Sequence, residues 1–211
     1  MNRSETIITC VSALLLGIYH LHLYLTIKRR PEKTAVGMTN VMRQQWVETI
    51  MSERRDILAV QTLRNWVMAS SLLASTAILI ALGILNTVMR PAGFQEMSNA
   101  LNIVGTHSET LWVVKLMLLA VDFFLGFFNF TLAIRYFNHA GYGLGLPDTH
   151  SGVASHEFVT EVVNHASLHY PIGMRCYYLA IPLGLWIFGP TWMLAGSFIL
   201  VMVLNRLDRT V

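Results

Sequence analysis

The chain has 211 residues, 54% of them hydrophobic and only 13% charged, with a formal net charge of +3. A soluble domain carries about a quarter charged residues, so this composition excludes an ordinary water-soluble core. It also excludes nucleic acid as a partner: eight of the 15 Lys and Arg fall between Lys28 and Arg64, beside a long apolar run, where they read as a membrane topology signal.

Apolar runs of about 18 residues or more predict transmembrane helices. Four are expected, at about 6–27, 65–88, 111–137 and within 173–204. Residues 1–211 then form one integral membrane domain, an all-α polytopic helix bundle with the lipid bilayer as its partner. The first run is too long for a cleaved signal core and ends on Lys28-Arg29-Arg30, a stop-transfer flank. The basic connection 28–64 predicts a cytoplasmic side, and the connection 138–172 follows it by parity. The N-terminus and the stretch from Met89 to Thr110, with Arg90 alone, face away from the cytoplasm. The localisation read from this pattern is a cytoplasmic (inner) membrane.

The last apolar stretch carries Pro182 and Pro190. One long span is preferred on length, because each half would be only about 24–26 Å. The alternative is five spans, with two short helices broken at Gly189-Pro190, and the basic residues Arg206 and Arg209 favour it. In the first cytoplasmic connection, Met42, Trp46 and Ile50 recur every four residues and predict an amphipathic interfacial helix after Thr39 and Asn40. In the second, "GYGLGLPDTHSG" reads as a loop, without the preceding strand of a nucleotide fingerprint. "SHEFVTEVVNHASLHY" then reads as a short helix stopped by Pro171. Cys10 and Cys176 are expected as free apolar thiols. No internal repeat supports an inverted-repeat transporter.

Several spaced residues carry a family resemblance: Tyr19-His20, Gly37, Arg43, Trp46-Val47, "AVQTLRN", "AST", and above all "GMRCYYLAIPLGLWIFGP" near the C-terminus. Over nearly its whole length the chain resembles domain-of-unknown-function family 599. The resemblance implies a multi-pass membrane protein and supplies no activity.

The polar residues inside the spans are the candidate site. Lys115, Asp122 and Asn129 are spaced i, i+7, i+14 and share one stripe of the third span. Lys115 is expected to snorkel to the outer interface. Asp122 lies near mid-membrane, where a charge is costly and needs a partner. Depth matching nominates His20, with Tyr24 one turn on, or Ser75 and Thr76 of the second span. Such a network serves either as helix glue or as an ion or proton path. Ser70, Ala74, Ala77 and Ala81 predict close helix packing. Arg135, Arg175, Tyr177 and Tyr178 are expected at the inner interface, as anchors or as contacts for lipid phosphate or an anion. Glu157, Glu161, His165 and His169 form a helical stripe that reads as a solvated face, with Glu161, His165 and His169 the weak metal candidates. No cofactor is expected, with metal left open at Glu161, His165 and His169 and haem at His20 and His22.

No nucleophile comes with a recognisable base, so enzymatic activity has little support. The function expected from these residues is a small oligomeric channel or transporter for an ion or small solute. The alternative is a non-catalytic accessory subunit of a larger membrane complex.

Overall fold

The computed structural model describes residues 3–89, 108–146 and 155–209. Among these it holds six α-helices: α1 (Arg3–Arg29), α2 (Ala35–Glu53), α3 (Asp56–Val88), α4 (Glu109–Leu144), α5 (His156–Phe188) and α6 (Pro190–Leu207). A short 3-10 turn, Pro31–Lys33, joins α1 to α2. All but α2 are long and apolar enough to cross a membrane. Most of the outer connection 89–110, Arg90 included, lies outside the described residues.

Five candidate spans replace the preferred four. The break is at Gly189, whose φ of 142° and ψ of 163° suit glycine alone, and Pro190 then opens α6. The length objection fails because α5 does not start at residue 173. It starts at His156, behind the N-cap Ser155, and runs straight through Pro171. Proline removes one helical hydrogen bond, and packing of α5 against α4 on both sides of Pro171 outweighs that loss. Similarly, α4 continues to Leu144, so the first residues of the expected loop, 141–144, are helical. Gly145 and Leu146 follow as a turn, and the rest of the expected loop, 147–152, lies outside the described residues.

The ends of α1 and α6 meet at one end of the bundle. Thr34 forms an isolated antiparallel bridge with Arg209, and Ala35 N–H donates to the Asp208 carbonyl at 3.1 Å. Among the described residues, all Lys and Arg except Arg3 and Lys115 belong to segments at this basic end. The starts of α3 and α5 and the end of α4 lie there too, because one core joins Ala59 and Leu63, Phe137 and Leu144, and Val159 and Val163.

α2 completes that core. Thr34 caps it by accepting from Gly37 N–H at 3.2 Å, and Arg54 in a left-handed conformation ends it. Its expected lipid-facing stripe divides: Met42 is exposed, Ile50 is buried in the core, and Trp46 packs against Trp66, which packs against Phe137. α2 therefore docks on protein rather than on lipid.

Nearer the middle, α3 meets α4 through Ser70, Ala74, Ala77 and Ala81, all buried as their spacing predicts. α4 and α5 cross at Gly173, where a Cβ would stand 2.8 Å from the Phe130 ring. α1 stands apart, and its buried cluster is with α6, through Leu16, Tyr19, Leu200 and Leu204.

Candidate functional site

At the basic end, α1, α2 and α5 enclose a groove of about 760 Å³. α1 contributes one face, with His20, Leu23, Tyr24 and Ile27. α2 contributes Val36, Asn40 and Gln44, four residues apart on one stripe. α5 contributes a long stripe from Glu157 and Glu161 at its start, through Asn164, Leu168 and Ile172, to Arg175. Arg43 ties two walls together: its Nε–H donates to Asn164 Oδ1 at 3.0 Å, and its Nη2 donates to Asn40 Oδ1. Burial lowers the Arg43 pKa from its ordinary value.

The deep end is polar. One nitrogen of Arg175, Nη2, donates to both Asp208 oxygens at 2.8 Å, and Tyr19 O–H donates to Asp208 Oδ2 at 2.5 Å. The other, Nη1, is buried and has no hydrogen-bond partner among the described residues. His20 Nδ1 lies 2.8 Å from the Leu16 carbonyl, which can only accept. The ring proton therefore sits on Nδ1. Its Nε2 is buried without a partner. Behind Tyr19 and Asp208 lies a second cavity of about 350 Å³, also lined by His22, Lys33 and Arg209, and Leu23 lines both cavities.

The groove thus gathers six of the residues singled out in sequence, His20, Tyr24, Glu157, Glu161, His165 and Arg175, from three separate expected clusters. The others lie elsewhere. The stripe of α4 faces α5, and at Lys115 also the start of α1, rather than His20 or the middle of α3. Lys115 does not snorkel: it is only 3% exposed, its Nζ lies 5.5 Å from the Trp186 ring centroid, and Glu5 is the opposite charge acting on it. Asp122 is buried with the Cys176 thiol in hydrogen-bonding reach, and its Oδ2 is without a partner among the described residues. Asn129 pairs with His169 at 3.0 Å. Trp186, Cys176 and His169 all belong to α5. The nominated partners of Asp122 are engaged otherwise. His20 bonds its own helix, Ser75 is exposed, and Thr76 donates to the Leu72 carbonyl.

The expected inner-interface cluster also separates. Arg175 binds Asp208, Tyr177 O–H donates to the Leu73 carbonyl of α3 at 2.7 Å, Tyr178 packs on the α1–α6 cluster, and Arg135 is exposed. His165 lies 3.7 Å from Glu161, and the rings of His165 and His169 each stack on Tyr136 at 5.6 Å. Among the described residues no three or more His, Cys, Asp or Glu side chains group to hold a metal.

Sequence reasoning missed Asp208. Its only signal is that it is the sole acidic residue after Glu161, set among Arg206 and Arg209. Cys176, expected as an inert thiol, was missed as the neighbour of Asp122.

The family model for DUF599, a protein of unknown function, matches residues 7–211. The chain belongs to this family. Comparison with curated proteins and with solved structures gives no match. In this DUF599 chain the residues that carry the resemblance occupy the joints of the fold. Gly173 allows the α4–α5 crossing, Pro182 lies under Gly196 at the α5–α6 contact, and Gly189-Pro190 makes the break between them. Tyr19 and Arg175 hold the C-terminus through Asp208, while Arg43, Trp46 and Val47 fix α2.

Proposed function

We propose that this DUF599 protein resides in the cytoplasmic membrane, N-terminus outside and C-terminus inside, and acts as a carrier for a small amphiphilic solute bound in the groove. The orientation rests on the basic residues, which gather at the end where α1, α2 and the C-terminus meet. The observation that carries the rest is the groove itself. Its 760 Å³ falls in the range of about 300–1,000 Å³ usual for small-molecule sites, and it combines apolar walls with a few convergent polar groups. One chain encloses it, so a binding chamber needs no subunit interface. α1 is the element suited to move, because its packing is chiefly with α6 and it forms one whole wall. In this reading Asp122 serves the α4–α5 contact, as polar residues do in membrane bundles.

The test is charge displacement on solid-supported proteoliposomes, with panels of organic acids and organic bases applied to wild type and to Leu168→Trp, which fills the groove from an exposed wall position. A transient in wild type that Leu168→Trp abolishes is the expected result. Equal transients in both proteins, or none across either panel, would overturn the carrier reading.

A further inference from the structure

We infer that the deep end of the groove is a site for the acid headgroup of a membrane lipid, a protonatable oxyacid such as a phosphate monoester or a carboxylic acid. This deepens the carrier reading by naming the ligand class, and rests on the same groove.

Three observations converge. The first is a pair of buried, unpartnered nitrogens, Arg175 Nη1 and His20 Nε2, carried by two residues that line one cavity. An unmet buried polar group costs about 1–3 kcal/mol, so two in one cavity are a demand for a ligand. Their chemistry is specific. Arg175 Nη1 only donates. His20 Nε2 accepts when the ring is neutral, because Nδ1 already carries the proton for Leu16. A singly protonated oxyacid meets both, accepting from Arg175 and donating its O–H to His20. A phosphodiester headgroup has no O–H to give.

The second observation is depth. α6 has 18 residues and spans about 27 Å, close to the hydrocarbon thickness of a bilayer. Asp208 follows its last turn, and Arg175 is bonded to Asp208. Arg175 therefore stands at headgroup level.

The third is the wall between this level and the bilayer. Leu168 and Ile172 on α5 and Leu23 on α1 line the groove, and both helices are candidate spans. α1 packs chiefly on α6 and meets α5 through Tyr178 and Leu179, so the part of the α1–α5 crevice lined by Leu23, Leu168 and Ile172 is the side entrance for an acyl chain.

Glu157 and Glu161, which also line the groove, do not oppose an anion at its deep end. Glu161 is about 21 Å along α5 from Arg175, beyond a Debye length of about 8–10 Å.

The experiment uses the full chain in phosphatidylcholine nanodiscs, titrated with dioctanoyl phosphatidic acid and, separately, dioctanoyl phosphatidylcholine, with bound lipid counted by native mass spectrometry. The expected result is phosphatidic acid binding at least about tenfold tighter than phosphatidylcholine, the ratio one charge-assisted hydrogen bond supplies. His20→Leu should weaken it about tenfold, and Ile172→Trp should abolish it while leaving Arg175 on Asp208. Monodisperse elution and unchanged helical circular dichroism confirm that both variants fold. Equal binding of the two lipids, or full binding by both variants, would overturn the site. Competition by millimolar inorganic phosphate would overturn the lipid source in favour of a free anion. Lipid binding without charge displacement would defeat the carrier reading and leave this site standing.

Discussion

The two halves of the bundle are held together by different means. At the basic end large side chains interlock: Val47, Ile50, Leu63, Phe137, Val159 and Val163 are all buried in one core, flanked by Trp46 and Trp66. In the membrane half the buried positions of α3 are Ser70, Ala74, Ala77 and Ala81, and α5 crosses α4 at Gly173. The contrast follows from the solvent. On the membrane placement proposed above, the basic end projects into water, where each buried Val, Ile or Phe adds about 1.5–3 kcal/mol. In lipid there is no such drive between helices, and close approach of small residues supplies van der Waals contact instead. The groove lies where these regimes meet, between a helix fixed by the aqueous core, α2, and one that packs chiefly on α6, α1.

The contrast predicts a hierarchy of damage. Phe137→Ala should be the most harmful, at about 3–5 kcal/mol, because it empties the centre of the aqueous core. The readout is thermal unfolding in detergent, with early proteolysis in α2. A loss below about 1 kcal/mol would mean that the core does not hold α2. Gly173→Val comes next, at about 1–3 kcal/mol, by driving a side chain into the Phe130 ring. Phe130→Ala in the same chain should recover part of the loss, and failure to recover would break the account of the crossing. Asp208→Asn should cost about 1–2 kcal/mol, since the Arg175 side chain keeps 19% exposure and its charge is not wholly stranded. Its marker is faster proteolysis after residue 204 with the aqueous core intact. Ser70→Ala should change stability by less than about 0.5 kcal/mol, because its buried hydroxyl has no partner to lose among the described residues. A larger loss would show that polar bonds, not small size, hold α3 to α4.

Much of this architecture was legible in the residues. The apolar runs, the basic connection and the small-residue stripe on α3 all declare themselves locally. Pro171 misled, because proline is a breaker only where packing does not carry the helix across it. The i, i+7, i+14 spacing of Lys115, Asp122 and Asn129 put them on one stripe of α4, along which Lys115 and Asp122 are buried and Asn129 is half-buried. It did not say which helix covers that face. Depth matching offered α1 and α3, and α5 covers it, with Trp186, Cys176 and His169 in turn. The Arg175–Asp208–Tyr19 contact joins residues up to 189 positions apart, and no local signal reports such a pairing.

The amino-acid sequence by itself determined that the chain is helical and where its apolar runs lie, and it left four or five crossings open. Backbone polar groups in lipid can be satisfied only within a helix, so each long apolar run must be helical, while Gly189-Pro190 marked one possible break that the fold then made. Tertiary structure alone decided which polar groups meet. Periodicity orients a side chain about its own axis, but a partner is chosen by the rotation, depth and closeness of a second helix. Those are set by where Gly173 and the alanines of α3 let backbones approach, and by the core that locks α2 over the basic end. From those two contacts come the buried Asp122–Cys176 pair and the groove that brings His20 and Arg175 onto the walls of one cavity.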